Sequence, residues 1–275
     1  LPEVIQRDII LEQKQFPDIR NATVITGFRR TGKTYLMYDL IKRLLKTNSR
    51  EEVVYINFED ERIINPSVSL LTDLIPEIQA LFGKKPTYLF LDEIQNISNW
   101  SKWVRRILDN EEIQIFISGS SSRMSSNEIP TELRGRYWEI KVKTLSFHEY
   151  LTFMHEEIDF QKAPFSKEET AKYQFLLNDY LRYGGLPDIV LLPVEKKMDL
   201  LQIYFQTVVQ RDMIEHFHIE NHVALRTLLK LLINSPYYTI SKLHNMIKSM
   251  GIPVGKTTID HYLSCIKSFY FFQEL

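Results

Sequence analysis

Short apolar runs alternate with longer stretches of helical periodicity over the first half of the chain. The runs are rich in β-branched and aromatic residues, as strands are, and they cover residues 22–26, 53–58, 88–91, 113–117 and 137–142. Between them, apolar residues recur three and four positions apart, which predicts amphipathic helices. Strands that alternate with helices predict an α/β fold, a three-layer sandwich in which helices cover both faces of a parallel sheet.

The second half of the chain is helical in pattern. Ser146 and Glu149 have the spacing of a helix capping box at the point where the architecture changes, and helical periodicity follows. Tyr180–Pro187, with a paired glycine and a proline among aromatic residues, predicts a rigid turn. Before the first strand, the stretch from Val4 to about Phe16 reads as a further amphipathic helix.

The last segment begins near His222 and contains three amphipathic helices, with a short glycine-containing turn before the third. The aromatic run Phe269–Phe272 follows as a strand, so the segment reads as a winged helix-turn-helix. Its basicity is modest, which leaves protein packing and duplex-DNA binding open as alternatives. The candidate recognition helix carries Lys256, Thr257, Thr258 and His261. The predicted domains are residues 1–145, 146–220 and 221–275.

A glycine, four residues and then Gly32-Lys33-Thr34 follow the first apolar run. This G-x-x-x-x-G-K-T spacing, between a strand pattern and a helix pattern, is that of a phosphate-binding loop. Glycines let backbone N–H groups approach a polyphosphate, and the helix that follows directs the positive end of its dipole there. Lys33 is expected to reach the β- and γ-phosphates and the Thr34 hydroxyl to bind Mg²⁺. The expected nucleotide-binding residues are Gly27, Phe28, Arg29, Arg30, Thr31, Gly32, Lys33, Thr34 and Tyr35.

Two carboxylates, Asp92 and Glu93, follow the buried apolar run that starts at Tyr88. An apolar strand that ends in an aspartate is the Walker B pattern, which delivers a carboxylate to the Mg²⁺ shell. Glu93 is suited to orient and partly deprotonate an attacking water. This arrangement favours ATP hydrolysis over transfer of the phosphoryl group to a bound acceptor.

Other polar residues near strand ends are weaker candidates. Glu59 or Asp60 is expected either to orient a water near the γ-phosphate or to lie in a solvated turn, and Ser118–Ser122 either to sense the γ-phosphate or to form a serine-rich turn. Arg136 is a candidate for stabilising charge in phosphoryl transfer, in its own subunit or a neighbouring one, with a surface salt bridge as the alternative. Arg182 is a minor candidate for a phosphate contact. Trp100 and Trp103 read as core, because their spacing matches one helix face.

Composition and charge narrow the class of protein. The 275 residues carry a formal net charge of -1 and are 44% hydrophobic and 25% charged, as in ordinary globular proteins. Any nucleic-acid surface must therefore be local. Cys265 is the only cysteine, which excludes an intramolecular disulfide and fits a reducing compartment. With no leader and no apolar run long enough to span a bilayer, a cytoplasmic location is expected.

Almost the whole chain resembles the prokaryotic AAA-like ATPases of the archaeal and bacterial DEXX-box type, relatives of STAND and origin-recognition-like ATPases. The motifs that carry the resemblance are, in order, GFRRTGKT, YINFED, LFLDEIQ, ISGSSS, LRGR, LSFHEYL, YLRYGGLPDIV and VVQRDMI. The resemblance implies a P-loop domain followed by a helical lid and a winged helix. It implies ATP and Mg²⁺ as cofactors.

The same resemblance implies roles for individual residues. Gly32, Lys33 and Thr34 would hold the phosphates and Mg²⁺, Asp92 the metal, and Glu93 would be the catalytic base. Ser120 matches the sensor region, and Arg136 matches an arginine that acts near the γ-phosphate. Phe28 departs from the proline that is usual in the family, which leaves phosphate binding intact. Family members commonly continue into a nuclease-like part, so this chain is expected to be a fragment that ends at Leu275 within the wing, and nuclease activity is not assigned to it.

The function expected from these features is a Mg²⁺-dependent ATPase that couples hydrolysis to movement of the lid and the winged helix. The alternative is a slow nucleotide-gated switch that binds duplex DNA or signals to a protein partner, and a homo-oligomer fits either. A small-molecule kinase is disfavoured, because Glu93 suits water and no acceptor pocket is legible in the sequence.

Overall fold

The computed structural model describes residues 1–12, 20–119, 133–159, 161, 166–235 and 237–268. The chain divides into two compact units, Leu1–Lys197 and Met198–Leu275. The division into three domains made from the sequence stays a prediction. Within the described part of the chain, no helix combines the length and the apolar composition that crossing a bilayer requires.

Five parallel strands form the centre of the first unit. Their spatial order is β2-β3-β4-β1-β5, and every neighbouring pair is parallel. Strands β1 and β3 are buried along their whole length, which explains why neither sequence alternates between apolar and charged residues. The predicted α/β fold with a parallel sheet is confirmed. The strands are β1 (Ala22–Gly27), β2 (Val53–Asn57), β3 (Tyr88–Asp92), β4 (Gln114–Ser118) and β5 (Tyr137–Val142).

Helices cover this sheet and create two apolar clusters. Helix α1 (Lys33–Leu44) packs in one cluster with Ile25, Phe90 and Phe116. The rings of Phe90 and Phe116 are stacked, with their centroids 4.7 Å apart. Helices α2 (Val68–Phe82) and α3 (Trp100–Asn110) contribute to the other cluster. Trp100 and Trp103 are buried in that second cluster, which confirms the interpretation of this pair as core.

The helices that follow the sheet have a core of their own in the first unit. Helix α4 (Phe147–Phe153) starts at the predicted capping box, in which Glu149 N–H donates to the Ser146 hydroxyl and Ser146 N–H donates to the Glu149 carboxylate. Helix α5 (Lys167–Tyr183) and the short helix α6 (Pro187–Val190) pack with it around Leu145 and Tyr150. Helix α7 (Val194–Thr207) follows.

Helices are the only regular secondary structure in the described residues of the second unit. A π-helical segment, Val208–Glu215, follows α7 directly. Three helices come next: α8 (His222–Asn234), α9 (Ile240–Ser249) and α10 (Lys256–Ser268). The predicted strand Phe269–Phe272 lies outside the described residues, so the winged helix stays a prediction.

The expected N-terminal helix is wrong for residues 4–12, which form neither helix nor strand, and its remainder lies outside the described residues. Two anchors explain the difference. Leu11 is buried in the α1 cluster, and Arg43 of α1 donates to the Leu11 carbonyl oxygen over 2.5 Å. Arg7 binds Glu149 of α4. These tertiary contacts override an amphipathic pattern that a short segment cannot turn into a stable helix alone.

Candidate functional site

The loop between β1 and α1 is shaped by its two glycines. Gly27 has φ +152° and Gly32 has φ +92°, backbone conformations that other residues rarely adopt. A Cβ on Gly27 would lie 2.2 Å from the Val142 carbonyl oxygen, so strand β5 leaves room only for glycine. Inside the loop the Thr31 hydroxyl donates to the Phe28 carbonyl oxygen over 2.9 Å. The backbone therefore has a fixed path up to the first residue of α1.

Lys33 is the buried cation of this loop, with 6% of its surface exposed. Its ammonium donates to the carbonyl oxygens of Gly27 and Phe28, at 3.1 and 3.0 Å. Burial lowers the Lys33 pKa, while the nearby charges of Glu93 and Asp92 oppose that shift. A buried ammonium that is held by neutral carbonyls next to carboxylates is well prepared to exchange those partners for an anion.

The Asp92 carboxylate, at the end of β3, is the meeting point of three hydroxyl groups. Thr34 Oγ1, from the first turn of α1, donates to Asp92 Oδ2 over 2.8 Å. Tyr55, from β2, donates to the same oxygen over 2.8 Å, and burial raises the pKa of this phenol, which keeps it a donor. Ser118, at the end of β4, donates to Asp92 Oδ1. Four separate elements thus bring oxygen atoms to one point at the carboxyl edge of the sheet.

Glu93 stands next to this cluster in a left-handed backbone conformation, with φ +54°. A non-glycine residue in this region stores backbone strain of order 1 kcal/mol, which is common where a side chain must be aimed at a ligand. Burial raises the Glu93 pKa, against the opposing charge of Lys33 and the hydrogen bond from the Gln95 amide. Gln95 Oε1 is itself buried without a hydrogen-bond partner.

Lys33, Thr34 and Glu93 line a cleft of about 670 Å³. One wall consists of the loop, the start of α1, Glu59 and Glu93. The other lining residues come from the N-terminal segment and from the part of the chain after the sheet, including Val4, Ile9, Ile10, Phe153, His155, Pro187 and Leu191. No local pattern indicates this second group of lining residues, because its members are far apart along the chain.

Some of the remaining predicted residues line this cleft, and others contact residues elsewhere. Arg29, Arg30 and Tyr35 line it. Asp60 is instead paired with Arg62, whose guanidinium lowers the pKa of that carboxyl to about 2. The predicted sensor Ser120 lies outside the described residues, and Ser118 is the hydroxyl of that strand end that reaches Asp92.

The two weaker arginine candidates lie elsewhere. Arg182 is exposed and its guanidinium lies 5.3 Å from the centre of the Tyr183 ring. Arg136 precedes β5, and its carbonyl oxygen accepts a hydrogen bond from Ala22 N–H at the start of β1, whereas the loop follows the other end of that strand. A strand of six residues separates the two ends by roughly 17 Å. Arg136 forms an ion pair with Asp109, as the salt-bridge alternative predicts.

The oxygen cluster at Asp92 suits a magnesium ion. Hydroxyl and carboxylate oxygens are the ligands that Mg²⁺ takes, and the ion usually binds through one or two protein oxygens together with substrate phosphates and water. Thr34 and Asp92 supply two such oxygens within hydrogen-bonding distance of each other. In the described part of the chain, no group of three histidine, cysteine or acidic side chains forms an all-protein cage. The Thr34 hydroxyl and the Asp92 carboxylate fit Mg²⁺ that is shared with a polyphosphate.

Fold and site together define a P-loop type of α/β domain. Comparison with known families agrees: residues 19–151 match the family described as an AAA domain, and residues 174–275 match a domain of unknown function, DUF8612. The match supports an AAA-like P-loop domain over residues 19–151 and, for that domain, nucleotide binding.

Two relatives are similar in sequence over nearly the whole chain. The uncharacterized protein MJ1544 of Methanocaldococcus jannaschii is 36% identical over 271 residues, which is 98% of this chain and 58% of the relative. An uncharacterized protein of Haemophilus influenzae is 28% identical over 280 residues, 98% of this chain and 66% of the relative. The chain therefore spans less than two thirds of the length of either protein.

Proposed function

We propose that this chain binds ATP with Mg²⁺ in the cleft and hydrolyses it to ADP and phosphate. The observation that carries the proposal is the 2.8 Å hydrogen bond between Thr34 and Asp92, because it joins the end of the phosphate-binding loop to the carboxylate of β3. Lys33 and Glu93 open into the same cleft. A polyphosphate cradle, a metal-binding oxygen pair and a buried carboxylate are the parts that in-line attack of water on a γ-phosphate requires.

Each residue has a distinct task in this proposal. The loop N–H groups and the N-terminus of α1 bind the phosphates. The Lys33 ammonium releases the loop carbonyl oxygens and donates to the phosphate oxygens instead. Thr34 and Asp92 hold Mg²⁺, which when bound neutralises charge on the phosphates. Glu93 orients the attacking water and accepts its proton. The apolar wall of the cleft, with Tyr35 and Ile9, takes the nucleoside.

The helices that follow the sheet are the part of the first unit that senses the nucleotide. Phe153 of α4, His155, Pro187 of α6 and Leu191 line the same cleft as the loop. A ligand that touches both sets of residues binds more tightly when they are close together, so nucleotide binding favours closure of these helices on the loop. Transmission of this movement to a winged helix remains a part of the proposal.

Steady-state phosphate release tests the catalytic assignment. Glu93→Gln is expected to bind ATP with unchanged affinity and to release phosphate at least 100-fold more slowly, because the general base is lost. Asp60→Asn is the matched control, since Asp60 is an acidic residue of the neighbouring strand end that is paired with Arg62. Turnover of Glu93→Gln at the wild-type rate would remove Glu93 from this role.

A second candidate function, binding of duplex DNA by the last three helices, is favoured by local charge. Residues 221–268 contain six basic side chains and one acidic side chain, although the whole chain has a net charge of -1. All six basic residues are exposed: Arg226, Lys230, Lys242, Lys248, Lys256 and Lys267. Exposed lysine and arginine on a helical unit supply the phosphate contacts from which most non-specific DNA affinity comes.

A salt series of duplex-DNA binding tests this second candidate. Binding that weakens steeply with salt, with a slope that falls by about one when Lys256→Ala removes one contact, supports it. Lys196→Ala, an exposed lysine of the first unit, serves as the control. Absence of binding at low salt, with and without ATP, would contradict DNA as the partner and point to a protein.

A catalytic role for Arg136 requires a neighbouring subunit. Its place at the amino end of β5 separates it from the loop of its own subunit. We therefore keep a homo-oligomer, in which Arg136 approaches the nucleotide of the next subunit, as a part of the proposal. Sedimentation with and without ATP tests it, because a chain that stays monomeric with ATP bound has no such neighbour.

A further inference from the structure

Arg7, in the N-terminal segment, bonds three different parts of the first unit. Its Nη1 donates to the Thr31 carbonyl oxygen over 2.9 Å, and its Nη2 donates to the Lys143 carbonyl oxygen over 3.1 Å. Nε and Nη2 also donate to the two oxygens of Glu149, at 2.5 and 3.1 Å. Only 9% of the Arg7 side chain and 5% of the Glu149 side chain are exposed. The guanidinium therefore uses four of its five N–H donors inside the protein.

Glu149 is a rigid anchor for this guanidinium. One of its oxygens accepts the N–H of Ser146 over 2.8 Å, and the other accepts the N–H of Asp8 over 3.0 Å. Its own backbone belongs to the first turn of α4. The carboxylate thus has four donors and no freedom to rotate, so it fixes the plane of the Arg7 guanidinium as a bidentate pair does.

The bond to Thr31 has a direct consequence for the phosphate-binding loop. In a trans peptide the carbonyl oxygen and the following N–H point in opposite directions. A guanidinium that holds the Thr31 oxygen therefore turns the Gly32 N–H away from Arg7. The Gly32 residue has φ +92° and lies in the cleft wall, where a glycine peptide otherwise rotates with little steric resistance.

We propose that Arg7 is a positioning residue that locks the Thr31–Gly32 peptide in the orientation needed to donate the Gly32 N–H to a polyphosphate. The inference rests on the proposed function, because it gives the loop a phosphate to bind. Arg7 lines the cleft but acts through this peptide, because its donors are engaged by Thr31, Lys143 and Glu149. It lowers the entropy that the loop loses when the ligand binds, which is the effect of preorganisation.

Calorimetric binding of inorganic tripolyphosphate tests the affinity that this orientation provides. Arg7→Gln removes the charge and the fork, and we expect the dissociation constant to rise by about tenfold, the effect of losing one well-placed hydrogen bond. Arg43→Gln is the matched control, since Arg43 also holds the N-terminal segment, through the Leu11 carbonyl oxygen, without contacting the loop. We expect its dissociation constant to stay within about twofold of the wild type.

The orientation of the peptide can be read separately by NMR. Gly27 and Gly32 are the two glycines of the sequence that follow a threonine, so threonine labelled at the carbonyl carbon and ¹⁵N-glycine select their two amides. Thr26→Ser removes the Gly27 signal and leaves that of Gly32. We expect the order parameter of the Gly32 amide to fall from about 0.85 to below about 0.6 in Arg7→Gln and to stay unchanged in Arg43→Gln.

The outcomes separate this inference from the proposed function. Tripolyphosphate binding by Arg7→Gln at wild-type affinity, or equal weakening by Arg7→Gln and Arg43→Gln, would overturn the role of Arg7. A wild-type chain that binds neither tripolyphosphate nor ATP would overturn the proposed function, whereas the Gly32 amide would still report whether Arg7 locks the peptide. If Arg7→Gln does not fold, Arg7→Lys replaces it, since lysine keeps the charge but cannot form the planar fork.

Discussion

The Thr34 hydroxyl donates a 2.8 Å hydrogen bond to Asp92 Oδ2, across 58 positions of the chain. The bond spans strand β4, which lies between β1 and β3 in the sheet and sends Ser118 to the other oxygen of Asp92. Because parallel strands end at the same edge, three consecutive strands of the sheet contribute to one site. The geometry of the site is therefore a property of the strand order.

Removal of the Thr34 hydroxyl should weaken the response to magnesium. For Thr34→Ala we expect the Mg²⁺ concentration that half-saturates ATP binding to rise by about 10- to 100-fold, because one of the proposed Mg²⁺ ligands is lost. ATP binding titrated over a Mg²⁺ series measures this. Thr47→Ala makes the same chemical change beyond the end of α1 and should leave the midpoint unchanged, and a shift of equal size in both variants would contradict the assignment.

A side chain at residue 27 should destabilise the sheet. Gly27→Ala places a Cβ 2.2 Å from the Val142 carbonyl oxygen and also strains the backbone at φ +152°. We expect the free energy of unfolding to fall by about 3 kcal/mol, the combined effect of overpacking and an unfavourable backbone conformation.

Urea denaturation measures this loss. Gly83→Ala separates the two causes, since Gly83 has φ +76° and nothing within 4 Å of the new Cβ. It should cost only about 1 kcal/mol. Equal losses in the two variants would show that contact with Val142 contributes nothing.

The buried ion pair of Lys197 and Asp179 should be costly to break. Lys197 Nζ donates to Asp179 Oδ2 over 2.7 Å, and the Tyr150 hydroxyl donates to the same oxygen over 2.9 Å. Lys197→Met leaves the carboxylate buried with one partner, and we expect a loss of about 3–5 kcal/mol in the free energy of unfolding.

Thermal and urea unfolding of three variants checks this prediction. Lys196→Met, an exposed neighbour, should change stability by less than about 0.5 kcal/mol. Asp179→Asn combined with Lys197→Met should recover part of the loss, since no unpaired charge remains. A single Lys197→Met variant as stable as Lys196→Met would be inconsistent with a stabilising pair.

The free energy of unfolding should fall at acid pH, because the Glu149 carboxylate becomes protonated. Burial alone would raise its pKa, but the hydrogen bonds from Arg7, Ser146 N–H and Asp8 N–H outweigh burial and hold the pKa below the ordinary value of 4.5. A carboxyl group whose pKa is lower in the folded than in the unfolded protein stabilises the fold at pH values above its pKa in the unfolded protein. This stabilisation is lost as the pH falls through its pKa in the folded protein.

Urea denaturation between pH 7 and pH 3 measures this contribution. Glu149→Gln should be less stable than the wild type at pH 7 and should show a shallower decline in acid. Glu112→Gln, at a carboxylate that is 91% exposed, should keep the wild-type slope. A slope that Glu149→Gln leaves unchanged would assign the acid sensitivity to other carboxyl groups.

Local patterns predicted most elements correctly. The strand at Tyr137–Val142 has the predicted bounds and the capping box of α4 has the predicted partners, because turn residues, caps and periodicity act over a few positions. The N-terminal segment shows the limit of this reasoning. Its apolar spacing is helical, yet this segment forms no helix over residues 4–12, and distant residues hold Arg7 and Leu11 in place. Tertiary contacts outweighed local preference there.

The phosphate-binding loop and the Asp92–Glu93 pair were determined by the sequence alone, since each depends on residues that are close along the chain. Tertiary structure decided which residues meet them. It brought Tyr55 and Ser118 to Asp92, joined Arg7 to the loop, and separated Arg136 from it by the length of a strand. The physical reason is that strand order and side-chain packing set contacts between distant segments, and a local pattern carries no information about either.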